Sequence, residues 1–506
     1  MHVPASRVRA LNDAAIAPHG KYVLYWMVAA RRPRFNFALE QAVGHARRLK
    51  LPLLIFEPLR ASYPWASERL HTFVVQGMAA NAAYFANKPV HYYPYLEPKR
   101  GAGAGLLAAL AREAAQIVTD DYPCFFIPRM IEAAARALPV AMEAVDGNGI
   151  LPLSLAEGKT FYNAYIFRRF VQRHAGRELE QPPREDPLRG ARLPRLSTLA
   201  TKLEKRWPRV SARELSNVAG TVAKLPVSTA VSAVSSIMGG HGEARRVLQR
   251  FVEQRLCRYE ERSHPDADAA SGLSPYLHFG HLGVHEIAAA LREPESWDGR
   301  PRGLARDGKR SGFWGLSAPA EAFLEELVTF RELGFNTAAT LTDFDRYESL
   351  PSWAQKTLEA HAGDVREHTY SLRQFEHAET RDPVWNAAQT QLRHEGRIQN
   401  YLRMLWGKQI LQFSKSPREA LEIMIELNNR YALDGRDPNS YAGIFWILGR
   451  YDRPWAPERP VLGTVRYLSS ASTQRKLRLK DYLARHAELA SDSRQRSASK
   501  KLIKPE

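Results

Sequence analysis

Asn428-Asn-Arg-Tyr-Ala-Leu-Asp-Gly-Arg-Asp-Pro-Asn439, following the tryptophan-bearing segment Arg403-Met-Leu-Trp-Gly-Lys408, decides how the rest of the chain is read. Arg403 stands between Leu402 and Met404 on an apolar helical pattern, where a guanidinium needs a carboxylate, and Asp434 is the candidate partner. Taken alone, Asp434-Gly-Arg-Asp437 reads as a turn with solvated charges. Apolar spacing stays helical on either side of these stretches from 246 to about 450, as in Glu321-Ala-Phe-Leu-Glu-Glu-Leu-Val-Thr-Phe330. The second half is therefore expected to be all-α.

Working toward the N-terminus, Pro182, Pro183, Pro187, Pro194, Pro208, Pro226 and the pair Gly239-Gly240 mark a wrapping linker with helices over 151–245. Before it, Tyr22-Val-Leu-Tyr-Trp26 and Leu51-Pro-Leu-Leu-Ile-Phe56 read as buried strands separated by a helix around Ala38–Arg47. A helix over Ala104–Ala115, a strand at Gln116-Ile-Val-Thr119 and Pro139–Val145 continue the alternation. Strand, helix, strand implies a parallel sheet, so residues 1–150 form an α/β Rossmann-like domain. The domain lacks a Gly-x-Gly-x-x-Gly fingerprint, and a dinucleotide clamped at the first turn is not indicated. The helical domain extends over 246–485, and residues 486–506 read as a disordered basic tail.

With 506 residues the chain suits two domains plus connections. Its 72 Lys and Arg against 54 Asp and Glu give a net charge of +18, which favours a polyanionic partner or serves solubility alone. Cys124 and Cys257 alone supply neither a disulfide framework nor a four-ligand metal site, so no metal is expected. The N-terminus shows no signal-peptide pattern and no long apolar run, which points to a cytoplasmic protein away from membranes.

Ser271-Gly-Leu-Ser-Pro-Tyr-Leu-His-Phe-Gly280 sets two hydroxyls and a glycine before a Pro-initiated segment, either an ordinary helix start or a pyrophosphate grip. Four of ten tryptophans, Trp385, Trp406, Trp446 and Trp455, fall between 385 and 455. Each one alone is explained by core packing; together they also suit an oxidisable chain and an aromatic-walled pocket.

Trp385-Asn-Ala-Ala-Gln389, Gly396, Asn400–Lys408 and Leu427–Asn439 resemble the flavin domain of class II cyclobutane pyrimidine dimer DNA photolyases, within the photolyase/cryptochrome family. Leu273–Gly280, Glu326, Arg331-Glu-Leu333, Glu458-Arg459, Gly463 and Val465-Arg-Tyr467 extend the likeness, as do Tyr25-Trp-Met27 and Asn36-Phe-Ala-Leu39. It is dense from about 250 to 470 and thin from 60 to 245.

The resemblance implies reduced FAD, light-driven splitting of dimers in UV-damaged DNA, and a monomeric lyase. Asn428 would face flavin N5, with the Arg403–Asp434 pair beside the ring system. Tyr259, Ser271, Gly272, Leu273, Ser274, Arg331 and Asp437 would hold the cofactor. Glu326 would hydrogen-bond the dimer. Met404 and Trp446 would line its pocket, with Arg453, Trp455 and Arg466 on the DNA side. Trp406 and then Trp385 would carry electrons. A deazaflavin or folate antenna is the family's usual companion, but residues 1–150 show no motif for either.

Several positions depart from the pattern. Phe413 stands where the outer indole of the electron chain is expected, so photoreduction is slow or uses a nearby tyrosine. Phe330 replaces a frequent tryptophan and Gln399 a frequent histidine, while the 446–466 region is redistributed by one residue. These changes leave open a cryptochrome-like blue-light sensor, or a flavin photoenzyme acting on another DNA photoproduct.

Overall fold

The computed structural model describes residues 3–196 and 198–489. Six strands form one sheet: β1 (Val8–Ala10), β2 (Tyr22–Trp26), β3 (Leu53–Leu59), β4 (His91–Leu96), β5 (Ala114–Asp120) and β6 (Met142–Val145). Their order is β1-β6-β5-β2-β3-β4, parallel except for β1, which pairs antiparallel with β6 at one edge. β2 and β5 are buried at every residue, as a sheet covered by helices on both faces requires. The expected helix over Ala104–Ala115 is shorter, Leu106–Ala111, because Ala114 and Ala115 already belong to β5.

The sheet also explains the missing glycine fingerprint. In dinucleotide-binding folds the loop after the first strand offers free amides to a phosphate. Here the amides of Val28, Ala29 and Ala30 after β2 all donate to Asp120 Oδ2, at 2.8, 2.7 and 2.9 Å, and Tyr25 donates to Oδ1 at 2.7 Å. A carboxylate from the end of β5 fills the position that a phosphate would take.

Helices Ala164–Leu179, Thr201–Arg206, Ala212–Ser216 and Val218–Val222 lie within 151–245. Beyond them the chain is helical, and its core is built on Trp385, Trp406, Phe375, Leu402 and Leu405. No helix among the described residues is long and apolar enough to cross a membrane. A last helix over 480–489 runs past the expected start of the tail. His486 is buried there and donates to Glu395 Oε1 (3.1 Å), so the chain is still helical and anchored at 486 where a disordered tail was expected to begin. The remainder, 490–506, lies outside the described residues.

The two halves meet along a polar seam. Arg69 donates to the carbonyls of Tyr431 (2.7 Å), Leu392 (3.3 Å) and Arg393 (2.5 Å). Tyr122 donates to Asp437 Oδ2 (3.1 Å) and Cys124 to the Arg436 carbonyl (3.3 Å). Glu332 accepts from the amides of Ile150 and Leu151 at 2.7 and 3.1 Å. Residues just beyond β5 thus hold the Asp434–Asp437 turn from the α/β side.

Candidate active site

The helix Asn400–Phe413 is the backbone of the site. Gln399 caps it by accepting from Leu402 N at 3.0 Å, and the same side chain donates to the Arg262 carbonyl. One turn in, Arg403 Nη2 reaches both oxygens of Asp434, at 3.0 and 3.2 Å. Both side chains are 15% exposed, so the pair is sheltered but opens on one side. Further along, Trp406 is buried and donates its indole N–H to Gln389 Oε1 (2.9 Å). Trp385, wholly buried, donates its own to the Trp406 carbonyl at 2.9 Å. One helix therefore carries both Arg403, paired with Asp434, and Trp406, whose carbonyl takes the indole N–H of Trp385 from helix Pro383–Glu395.

Helix Pro417–Tyr431 delivers Asn428 beside that helix. Its amide donates to Ser440 Oγ (2.7 Å) and Asn429 Oδ1 (3.2 Å), which orients the side chain within a buried polar row. Asn429 in turn accepts from Arg436 N and donates to Tyr441 Oη. Gly435 is required here, because a Cβ would lie 2.8 Å from the Asn428 carbonyl.

The Asp434–Asp437 turn is not solvated. Arg436 is 2% exposed, and its polar partners are its neighbour's carbonyl (3.1 Å) and His278 Nε2 (3.4 Å). Among the described residues no carboxylate pairs with it, leaving a buried cation in want of an anion. Asp437 caps the next helix through Asn439 N. Burial opposes its charge, yet the His278 contact and Arg331 hold it below the ordinary carboxylate range. Burial pushes His278 down, so its ring is neutral near pH 7.

Glu326 lies in a π-helical turn, Glu325–Phe330, between helices Ala318–Leu324 and Arg331–Thr340. Such turns are rare and recur at functional sites because the extra residue re-aims the side chains around it. Arg262 Nη2 holds Glu326 Oε1 at 2.9 Å and its guanidinium covers Tyr259, 4.8 Å from the ring. Tyr259 is buried against Phe251 and Phe323; burial, then Glu326, raises its phenol. Phe330, at the end of the turn, packs 5.5 Å from Trp446, which also meets Tyr451 at 5.4 Å. Met404 is half-buried against the core that holds Trp406.

Ser271, Gly272 and Leu273 form the loop before a short helix that Ser274 begins, with Gly272 at φ +71° and Leu273 N bonded to Ser271 Oγ (3.4 Å). Arg331 lies at the seam: it donates to the Asn148 carbonyl (2.8 Å) and covers Phe335. On the outer surface, Trp455 is 37% exposed between Arg453 and Arg466, whose guanidinium carbons stand 5.2 and 5.0 Å from its ring. An exposed indole flanked by two cations can stack on a flat ring and attract an anion.

No protein-family model matches the chain. It is 32% identical over 500 residues to a deoxyribodipyrimidine photo-lyase of Methanothermobacter thermautotrophicus, covering 96% of this chain and 98% of that protein. The chain belongs to the deoxyribodipyrimidine photo-lyase family. A second photo-lyase, from Potorous tridactylus, is 32% identical over 94% of this chain and 83% of its own length. Among solved structures, a class III photolyase from Agrobacterium tumefaciens superposes with TM-score 0.66 at 17% identity, covering 92% of this chain and 86% of its own. That likeness supports the photolyase fold: a mostly parallel sheet domain followed by a helical domain.

Within this photolyase-family site, several residues carry no signal in the sequence. Arg262 sits in a charged run, Ser440 acts only through its partner, and the π-helical turn has no sequence mark. Arg436 had one available: four charges or turn formers in a row beside Asn-Asn, flanked by apolar helices, which suits a buried turn as well as an exposed one.

Proposed function

We propose that this photolyase-family chain splits cyclobutane pyrimidine dimers in UV-damaged DNA, driven by light, with FAD as its cofactor. The observation that carries this reading is that one helix presents both Arg403, paired with Asp434, and Trp406, bonded to the buried Trp385. A sheltered ion pair beside an oxidisable indole pair is what a flavin doing one-electron chemistry needs. The site also fits the cofactor's charge, because Arg436 is buried with no ion-paired carboxylate among the described residues and Arg403 reaches Asp434 through one nitrogen.

In this reading Tyr259 and the Ser271–Ser274 loop hold the phosphates, with Arg331 and Asp437 closing the seam side. Reduced FAD, once bound, would supply on excitation by near-ultraviolet or blue light the electron that opens the cyclobutane ring. Asn428, fixed by Ser440 and Asn429, would face its N5. Glu326 hydrogen-bonds the flipped lesion and Arg262 fixes the orientation of its carboxyl group. Met404 and Trp446 wall the lesion with apolar surface that replaces the lost base stacking. Trp455 enters the gap in the duplex while Arg453 and Arg466 neutralise phosphates. No protein nucleophile is needed.

The test is light-dependent repair of an oligonucleotide carrying one thymine dimer by purified protein with chemically reduced flavin, under anaerobic conditions and against a dark control. Loss of the dimer only in the light is expected. A persistent dimer with flavin bound and reduced overturns the assignment.

A further inference from the structure

Oxidised flavin needs an electron to become active, and the Trp406 and Trp385 indoles end deep in the core, both at most 1% exposed. Phe413, where the family resemblance puts an outer indole, is itself buried and cannot be oxidised by an indole radical. The ring contacts lead elsewhere. Trp385 packs 5.2 Å from Phe375, and Phe375 lies 5.8 Å, edge on, from Tyr370. Tyr370 also stands at 90° to Phe413 with ring centres 5.5 Å apart, so it covers the phenyl group that interrupts the chain.

We infer that Tyr370 is the terminal protein electron donor for light-driven flavin reduction in this chain, an inference that rests on the flavin reading above. Its surroundings suit a phenol that must lose a proton with its electron. The side chain is half-buried, within reach of water. The Arg381 backbone N–H donates to its oxygen at 3.1 Å, so the phenolic hydrogen must point away from that amide. After oxidation the same N–H still satisfies the phenoxyl oxygen, and the oxygen is not left bare.

The electrons balance as follows. Trp406 gives one electron to light-excited oxidised flavin, Trp385 gives one to Trp406, and Tyr370 gives one to Trp385 through the intervening Phe375 packing. The phenolic proton leaves to water, which makes the radical neutral and blocks the return of the electron. An external thiol then supplies a hydrogen atom to the phenoxyl oxygen and is itself oxidised to a thiyl radical, restoring Tyr370.

The test is laser-flash absorption and electron paramagnetic resonance on the full chain carrying oxidised flavin, for wild type, Tyr370→Phe and Tyr370→Phe with Phe413→Trp. In wild type the indole radical should give way to a tyrosyl radical whose spectrum narrows when ring-deuterated tyrosine is incorporated. Tyr370→Phe should lose that signal and cut the yield of stable photoreduction by about an order of magnitude. The double variant should recover the yield with an indole radical in place of the tyrosyl one. A wild-type protein with no tyrosyl radical, or a Tyr370→Phe variant that photoreduces as wild type does, overturns the inference. Repair by chemically reduced wild type is scored separately, so failure of the electron route leaves the repair assignment standing, while failure to bind flavin overturns both.

Discussion

Replacing Asp434 by Asn should destabilise the protein more than removing the whole Arg403–Asp434 pair. The contact is 3.0 Å, which at an effective dielectric constant of about 20 corresponds to roughly 5 kcal/mol of attraction before desolvation. Most of that is offset by stripping water from two side chains that are 15% exposed. Asp434→Asn forfeits the attraction but keeps the desolvated guanidinium, at a cost of about 2–3 kcal/mol. Arg403→Met strands the carboxylate with a similar cost. In the double variant neither charge remains buried, so the loss should not exceed that of one single variant, giving a coupling of at least about 2 kcal/mol. Urea unfolding of flavin-free protein, followed by tryptophan fluorescence, measures all four corners of the cycle. Additive losses, with coupling below about 0.5 kcal/mol, would refute the claim that these charges form one sheltered unit.

Further outcomes are expected at five positions. Gly407→Ala places a methyl 2.1 Å from Ile447 Cδ1 and 3.0 Å from Met424 Sδ, and the forced repacking should cost about 1–3 kcal/mol in chemical denaturation; an unchanged midpoint would show that the helices part freely. Burial raises the Glu332 carboxyl from 4.5 to about 7 despite its two backbone N–H donors. Because the folded value lies above the unfolded one, this stabilisation is complete below pH 4.5 and is lost as pH rises through 7, about 3 kcal/mol in all; the melting-temperature gap between wild type and Glu332→Gln should shrink across that window, and a gap that widens contradicts the assignment. Trp455→Ala should weaken binding to dimer-containing duplex by about 1–3 kcal/mol in anisotropy titrations, while Arg466→Ala should lower the slope of log affinity against log salt by about 1. Glu326→Gln should slow repair by chemically reduced protein while leaving duplex affinity near wild type, and equal loss of both would place Glu326 in binding alone.

The parallel sheet could be read from sequence because strands buried on both faces are largely continuous apolar runs, as at Tyr22–Trp26 and Leu53-Leu-Ile-Phe56, although β3 runs on through Glu57 to Leu59. β4 escaped because His91-Tyr-Tyr-Pro-Tyr-Leu96 carries a proline, which marks an edge strand more than it forbids one. In the site, Arg403 and Asp434 could be matched because a cation on an apolar helix demands an acid. Arg436 could not, since its burial comes from distant groups such as Phe279, 5.6 Å from its guanidinium, and the turn's own composition is polar. The π-helical turn over Glu325–Phe330 was equally hidden. Its residues have ordinary helical propensities, and the i to i+5 bonding is selected by tertiary packing.

The seam has an evolutionary corollary. Tyr122, Cys124 and Arg69, all from the α/β half, supply hydrogen bonds that shape the turn and the helix-end carbonyl around Arg436, Asp437 and Tyr431. That half is a mould for the Asp434–Asp437 turn whether or not it harvests light. A lineage that discarded every pigment would still be selected to retain the domain, and gene fusions that exchange it would succeed only when these three donors are carried across with it.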